Sequence, residues 1–171
     1  MSRQKNRRIV WAVLCVVLAA LGGLSLSIRS PYLVLTNTQT NRLLYAASFH
    51  EGETFAVSHV HSLHQSPVTE IYAHCDGQIL LVALEFESFG AGLPEVLEYG
   101  QTLTRLETGG LRIDGMERPM PDFHVLIGHT AEHTLHIADR NIPLDALDDP
   151  GQSVQFSIRQ LNIWQRLFDL V

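Results

Sequence analysis

Lysine is almost missing from this chain of 171 residues: Lys5 is the single example, and it lies within the first eight positions. Beyond residue 28 the chain carries eight arginines against all eighteen of its acidic residues, a net charge of −10 with histidine neutral. An acidic surface repels polyanions, which argues against nucleic acid and anionic lipid as main partners. Cysteine is nearly as scarce, with only Cys15 and Cys75. Cys15 falls in a long apolar run and Cys75 stands alone outside it, so no intramolecular disulfide is expected there. Cys75 reads as a small, buried residue near a strand end. The chain has no Cys-x-x-Cys, no His-Glu-x-x-His and no Gly-x-Ser-x-Gly. Those absences remove the common short signatures of zinc sites and of α/β-hydrolases. Internal repeats and low-complexity segments are lacking too. Beyond residue 28 there is little helical periodicity until the last dozen residues.

What is present is unevenly placed. Residues 1–8 hold four basic side chains and no acid, whereas residues 9–28, IVWAVLCVVLAALGGLSLSI, hold no charge at all. Twenty residues at a rise of 1.5 Å reach about 30 Å, the thickness of a bilayer's hydrocarbon core. Basic residues before the run and acidic chain after it orient the segment with its N-terminus cytoplasmic. A cleaved signal peptide has a similar outline, and Ala20 with Gly22 or Ser25 with Ser27 would suit a signal peptidase. The length of the run favours a retained anchor. A lipoprotein is not expected, because Cys15 sits mid-segment behind Leu14, where a lipobox would need a small residue. The expected organisation is a cytoplasmic N-terminus (1–8), an inner-membrane anchor (9–28) and a periplasmic domain (29–171).

Within that domain, short apolar or alternating runs recur between turn residues, the pattern of an all-β, antiparallel β-sandwich, of which the immunoglobulin-like domain is one form. Strands are expected at 33–37, 42–49, 54–62, 68–75, 78–87, 102–107, 111–114, 123–128, 133–138 and 153–160. Asp76-Gly77 between two apolar runs predicts a two-residue hairpin turn, since both positions need positive φ. Gly109-Gly110 and Asp114-Gly115 are further candidate turns. The Pro-, Gly- and acid-rich stretches 115–122 and 141–152 are expected to be surface loops. At the end, Leu161, Trp164, Leu167, Phe168 and Val171 share one helical face, which predicts a short helix covering a sheet edge or contacting a membrane.

The stretch VHSLHQSPVTEIY (60–72) concentrates polar chemistry in an apolar frame. Strand alternation puts His59 and His61 on one face about 7 Å apart, with His64 following in the loop. Antiparallel pairing through SLHQSP would bring Glu70 near His61. His59, His61 and His64 therefore form a candidate zinc or copper site, which His129, His133 and His136 could extend. A Ser62–His–Glu70 nucleophile is the weaker reading, because nothing marks an oxyanion hole. Ser62 and Glu70 can instead satisfy backbone donors at a strand corner, with Pro67 limiting further pairing. SFGAGLPE (88–95) is a tight Gly-rich loop closed by Pro94, whose amides could also form an anion nest.

Together, FAVSHVHSLHQSPVTEIY and DGQILLVALEFESFGAGLPE resemble the bacterial family called domain of unknown function 1850. The matching positions are His61, Ser62, Pro67, Val68, Glu70, Ser88, Gly90, Ala91, Gly92, Leu93 and Pro94. The resemblance spans about residues 33–160 and implies a small exported or membrane-anchored protein encoded beside TRAP transporters of the TAXI class. It implies an accessory, non-enzymatic role in solute uptake, with the permease or the solute-binding protein as partner. It implies no catalytic residue and no cofactor. The matched positions become candidates for a contact or ligand surface, and His59, His64, His129, His133 and His136 lie outside the family pattern.

Overall fold

The computed structural model describes residues 11, 14–17, 29–61, 65–88, 96–107, 109–121, 123–162 and 165. Two compact units divide the chain, residues 32–159 and, separately, residues 1–31 with 160–171.

The larger unit is all-β and antiparallel. In chain order its strands are β1 (Arg29–Asn37), β2 (Leu43–Ser48), β3 (Thr54–Val60), β4 (Pro67–Cys75), β5 (Gln78–Phe86) and β6 (Thr102–Arg105). Then come β7 (Leu111–Pro119), β8 (His124–Leu126), β9 (Thr134–Ile137), β10 (Arg140–Pro143) and β11 (Ser153–Asn162), β1 and β11 running on past the unit's limits. They form a four-stranded sheet, β2-β1-β11-β8, and a seven-stranded sheet, β10-β9-β3-β4-β5-β7-β6. Each of the ten expected strands is present. An immunoglobulin domain divides its strands four and three in its constant form. Here β3, β4 and β5 run as a meander within one large sheet, so the immunoglobulin comparison ends at the two-layer sandwich.

Alternation decides what each layer buries. Phe55 and Val57 of β3 and Val68 and Tyr72 of β4 point inward and are at most 3% exposed. Leu33 and Leu35 of β1 and Val154 and Phe156 of β11 meet them from the other sheet in one continuous core. An aromatic stack joins the layers: Phe55 to Phe156 at 5.8 Å between ring centroids, Phe156 to Phe123 at 4.7 Å, and Phe123 to Tyr72 at 4.4 Å. Each such buried side chain contributes about 1.5–3 kcal/mol by transfer from water. Polar groups inside are paired. Buried Asn37 accepts from the Gln39 and Thr40 amides and donates to Asp148 and Gln152.

The turns agree with the sequence in two places and depart from it in one. Asp76 (φ 51°) and Gly77 (φ 74°) make the β4–β5 hairpin, and Gly109-Gly110 joins β6 to β7. Asp114-Gly115 is not a turn but lies inside β7. There the β5 pairing jumps from Ala83↔Asp114 to Leu81↔Arg118, a bulge in β7, which advances four residues against two of β5. Gly115 has φ +77°, and a Cβ on it would sit 2.5 Å from the Gly100 carbonyl oxygen. The expected loop 115–122 is therefore strand as far as Pro119. Likewise the expected loop 141–152 begins with β10 and a 3-10 turn at Leu144–Ala146. Polar Arg140 and Asn141, with Pro143 at the end, suit an edge strand.

In the smaller unit, Trp11 and Leu14–Val17 are helical and exposed. Among the described residues no helix is long and apolar enough to cross a membrane. Most of the expected anchor, 9–28, lies outside the described residues. Asn162, ending β11, and Gln165 exchange side-chain-to-amide hydrogen bonds of 2.9 and 3.0 Å, a capping box. Of the expected C-terminal helix, Leu161 belongs to β11 and Gln165 is helical, while 163–164 and 166–171 lie outside the described residues.

Candidate functional site

The β3–β4 ladder pairs Phe55 with Tyr72, Val57 with Glu70 and His59 with Val68. Because the side-chain period is two, Glu70 and His59 share the inward face with Phe55, Val57 and Tyr72. A carboxylate is thus aimed between the sheets, at the end where β8 faces β3 and β4. The cavity there measures about 490 Å³ and is lined by Val57, His59, Glu70, Tyr72, Phe123 and His133, with further walls from β8.

Tyr72 is wholly buried and its hydroxyl donates to Glu70 Oε2 over 3.0 Å. Burial first, then the neighbouring carboxylate and this hydrogen bond, hold the Tyr72 phenol far above its ordinary pKa, with Arg118 pulling weakly the other way. None of the ion pairs among the described residues includes Glu70.

His59 and His133 lie side by side, ring centroids 5.5 Å apart. Burial pushes the pKa of both below the ordinary value. Glu70 partly offsets this for His59, while His61 adds to it, and His59 adds to it for His133. The Gly128 amide donates to His133 Nδ1 at 3.4 Å, so the remaining proton of the neutral ring sits on Nε2. Gly128 packs closely there: a Cβ would lie 3.0 Å from Ala131 Cβ, a tight approach, and 3.6 Å from the His133 ring, an ordinary contact.

The expected site is therefore redrawn. Glu70 pairs with Val57 and stands diagonal to His59 rather than opposite His61, because the chain reverses early: His61 bonds through its amide to the Ser66 carbonyl, next to the last ladder pair Val60↔Pro67. Pro67 begins β4 and is exposed, as is Ser88 after β5. Ser62, His64, Gly90, Ala91, Gly92, Leu93 and Pro94 lie outside the described residues. Among the described residues no three His, Cys, Asp or Glu side chains are grouped to hold a metal ion. Of the second histidine group, His133 joins the cavity, His129 is exposed, and His136 lies on the opposite face of the sheet.

On that outer face Ser58 Oγ is 2.7 Å from His136 Nε2, and His136 Nδ1 is 2.7 Å from Asn141 Oδ1. The order of hydroxyl, imidazole and amide resembles a nucleophile with base and orienting group. These residues line neither this cavity nor a second one of about 760 Å³ between Tyr99–Gln101 and the β7 bulge. Tyr72, Ser58 and Asn141 were missed from sequence. Alternation alone could have put Tyr72 beside Glu70 and Ser58 on the outer face.

The fold and this cavity define an all-β sandwich with an opening between its layers that holds one carboxylate, Glu70. A family model described as "Domain of unknown function (DUF1850)" matches residues 55–144, and the chain belongs to that family. The matched span holds all of the seven-stranded sheet but Thr54, together with β8 and every residue lining the Glu70 cavity. No curated protein and no solved structure matches the chain.

Proposed function

We propose that this protein is a membrane-tethered, extracytoplasmic accessory subunit of a TRAP/TAXI-type solute transporter, non-enzymatic, which engages the permease or its solute-binding protein. The observation that carries the reading is the family match itself, centred on the strands that carry Glu70 and its cavity. The uncharged run 9–28 behind four basic residues would serve as the single-pass anchor in the inner membrane, N-terminus inside. A tether of this kind raises the local concentration of the domain at the permease, so a weak contact suffices. The acidic, lysine-free remainder suits a protein partner better than a lipid surface.

Complementation tests this reading. Deleting the gene should reduce uptake by the adjacent transporter, and the wild-type chain should restore it. A folded, membrane-located Glu70→Ala variant should restore it poorly. Undiminished uptake in the deletion strain would sink the proposal, whereas full rescue by Glu70→Ala would remove only Glu70 from the contact surface.

A further inference from the structure

We propose that the Glu70 cavity is a binding site for a small organic ammonium ion with an apolar body. The proposal does not rest on the transporter reading.

Glu70 points into a space walled by Val57, Tyr72 and Phe123, all at most 5% exposed. A carboxylate in such surroundings is costly unless it gains hydrogen bonds and a counter-charge. Tyr72 supplies one hydrogen bond, to Oε2. Among the described residues, none of the ion pairs supplies that counter-charge. His59 and His133, the imidazoles beside it, are held below their ordinary pKa by burial and are neutral at neutral pH. Arg118, whose field reaches the Tyr72 hydroxyl, forms none of the ion pairs among the described residues and does not line this cavity.

A protonated primary amine completes the arrangement. It would bring three donors and a positive charge to Glu70, and its alkyl portion would cover Val57 and Phe123. His133, with its proton on Nε2, could donate to any acceptor the ligand carries. At about 490 Å³ the cavity falls in the size range of small-molecule sites. Selectivity follows from charge: a carboxylate ligand would meet Glu70 directly, and an alcohol would leave the charge uncompensated.

Acid should oppose binding. The ionisable side chains that line the cavity with Glu70 are His59 from β3, Tyr72 from β4, His124 from β8 and His133 before β9, with His61 just past β3 and Arg118 of β7 outside the lining. Protonating the histidines puts positive charge where the ammonium must sit.

The test uses the full chain in a mild non-ionic detergent with three probes: n-butylammonium chloride, n-butanol and sodium butyrate. Binding is followed through the His59 and His133 ring proton resonances and by calorimetry, with sodium chloride matching ionic strength. The expected result is a saturable response to n-butylammonium alone, weakened about tenfold or more in Glu70→Gln, since a hydrogen-bonded charge pair is lost. Affinity should fall as pH drops below about 6.5, the ordinary histidine value, through the lowered values of His59 and His133. No saturable response to the amine by the folded wild-type protein would overturn the proposal. So would an equal response to butanol or butyrate, or one unchanged by acid. The wild-type comparisons decide the matter even if Glu70→Gln does not fold.

Discussion

The Tyr72 hydroxyl donates to the Glu70 carboxylate over 3.0 Å, from a ring that is wholly buried beneath it. The two residues are neighbours on one face of β4, so a single strand supplies both the charge and the group that orients it. Packing of the Tyr72 ring on Phe55 and Phe123 fixes the donor in place. Replacing Tyr72 with Phe keeps the stack and removes the donor. Denaturant unfolding should show a loss of about 1–2 kcal/mol, the cost of leaving a partly buried acceptor short of one bond.

The same burial predicts an alkaline limit. The Tyr72 phenol is raised in the folded protein, so its contribution is fully present below the unfolded value of about 10. It is lost as pH rises above that value, because the unfolded chain gives up its proton first. Ultraviolet titration should show Tyr72 remaining un-ionised until the fold is lost, and Tyr72→Phe should flatten the decline of stability in this range.

His59 and His133 set the acid side with the opposite sign. Their folded values are lowered, so the stability they report is complete above about pH 6.5 and falls away as pH drops through the folded values. Thermal melts should therefore decline in mild acid. A His59→Gln, His133→Gln double variant should weaken that decline. An identical pH profile in the double variant would show that other groups govern the acid response.

Gly115 tests the β7 bulge. A Cβ there meets the Gly100 carbonyl oxygen at 2.5 Å with φ at +77°, so Gly115→Ala must move backbone and strain it. A loss of more than about 2 kcal/mol is expected from steric overlap and strain together. Gly77→Ala, also at positive φ but with open space around the Cβ, should cost less.

The hydroxyl–imidazole–amide chain of Ser58, His136 and Asn141 lies on a sheet face away from both cavities, and its expected role is cross-strand. Ser58→Ala should change stability by no more than about 1 kcal/mol. A fluorophosphonate probe should leave Ser58 unlabelled. Stoichiometric labelling abolished by His136→Gln would instead make Ser58 a nucleophile and the protein a hydrolase.

The strands were legible because alternation is written locally: Phe55-Ala56-Val57-Ser58 and Val68-Thr69-Glu70 each show one buried face. The two-residue turn at Asp76-Gly77 was legible for the same reason. Gly115 was not, because a positive φ looks alike in a turn and in a bulge, and only the pairing with β5 separates them. Arg140–Pro143 hid because an edge strand needs little apolar content. The site was half legible. Glu70 and His59 could be named, but their pairing depended on where the chain reverses between Val60 and Pro67. His133 reaches His59 only through β9 pairing with β3, a non-local contact that local pattern does not encode.

The association with a transporter is tested most directly by co-purification. Native membranes would be solubilised gently, the tagged chain recovered, and its companions identified by mass spectrometry. A TRAP-type permease or its solute-binding protein, enriched over a control and depleted when Glu70 is replaced by Ala, is the predicted result. Recovery of the protein alone under conditions that keep the permease intact, with or without chemical cross-linking, would contradict it.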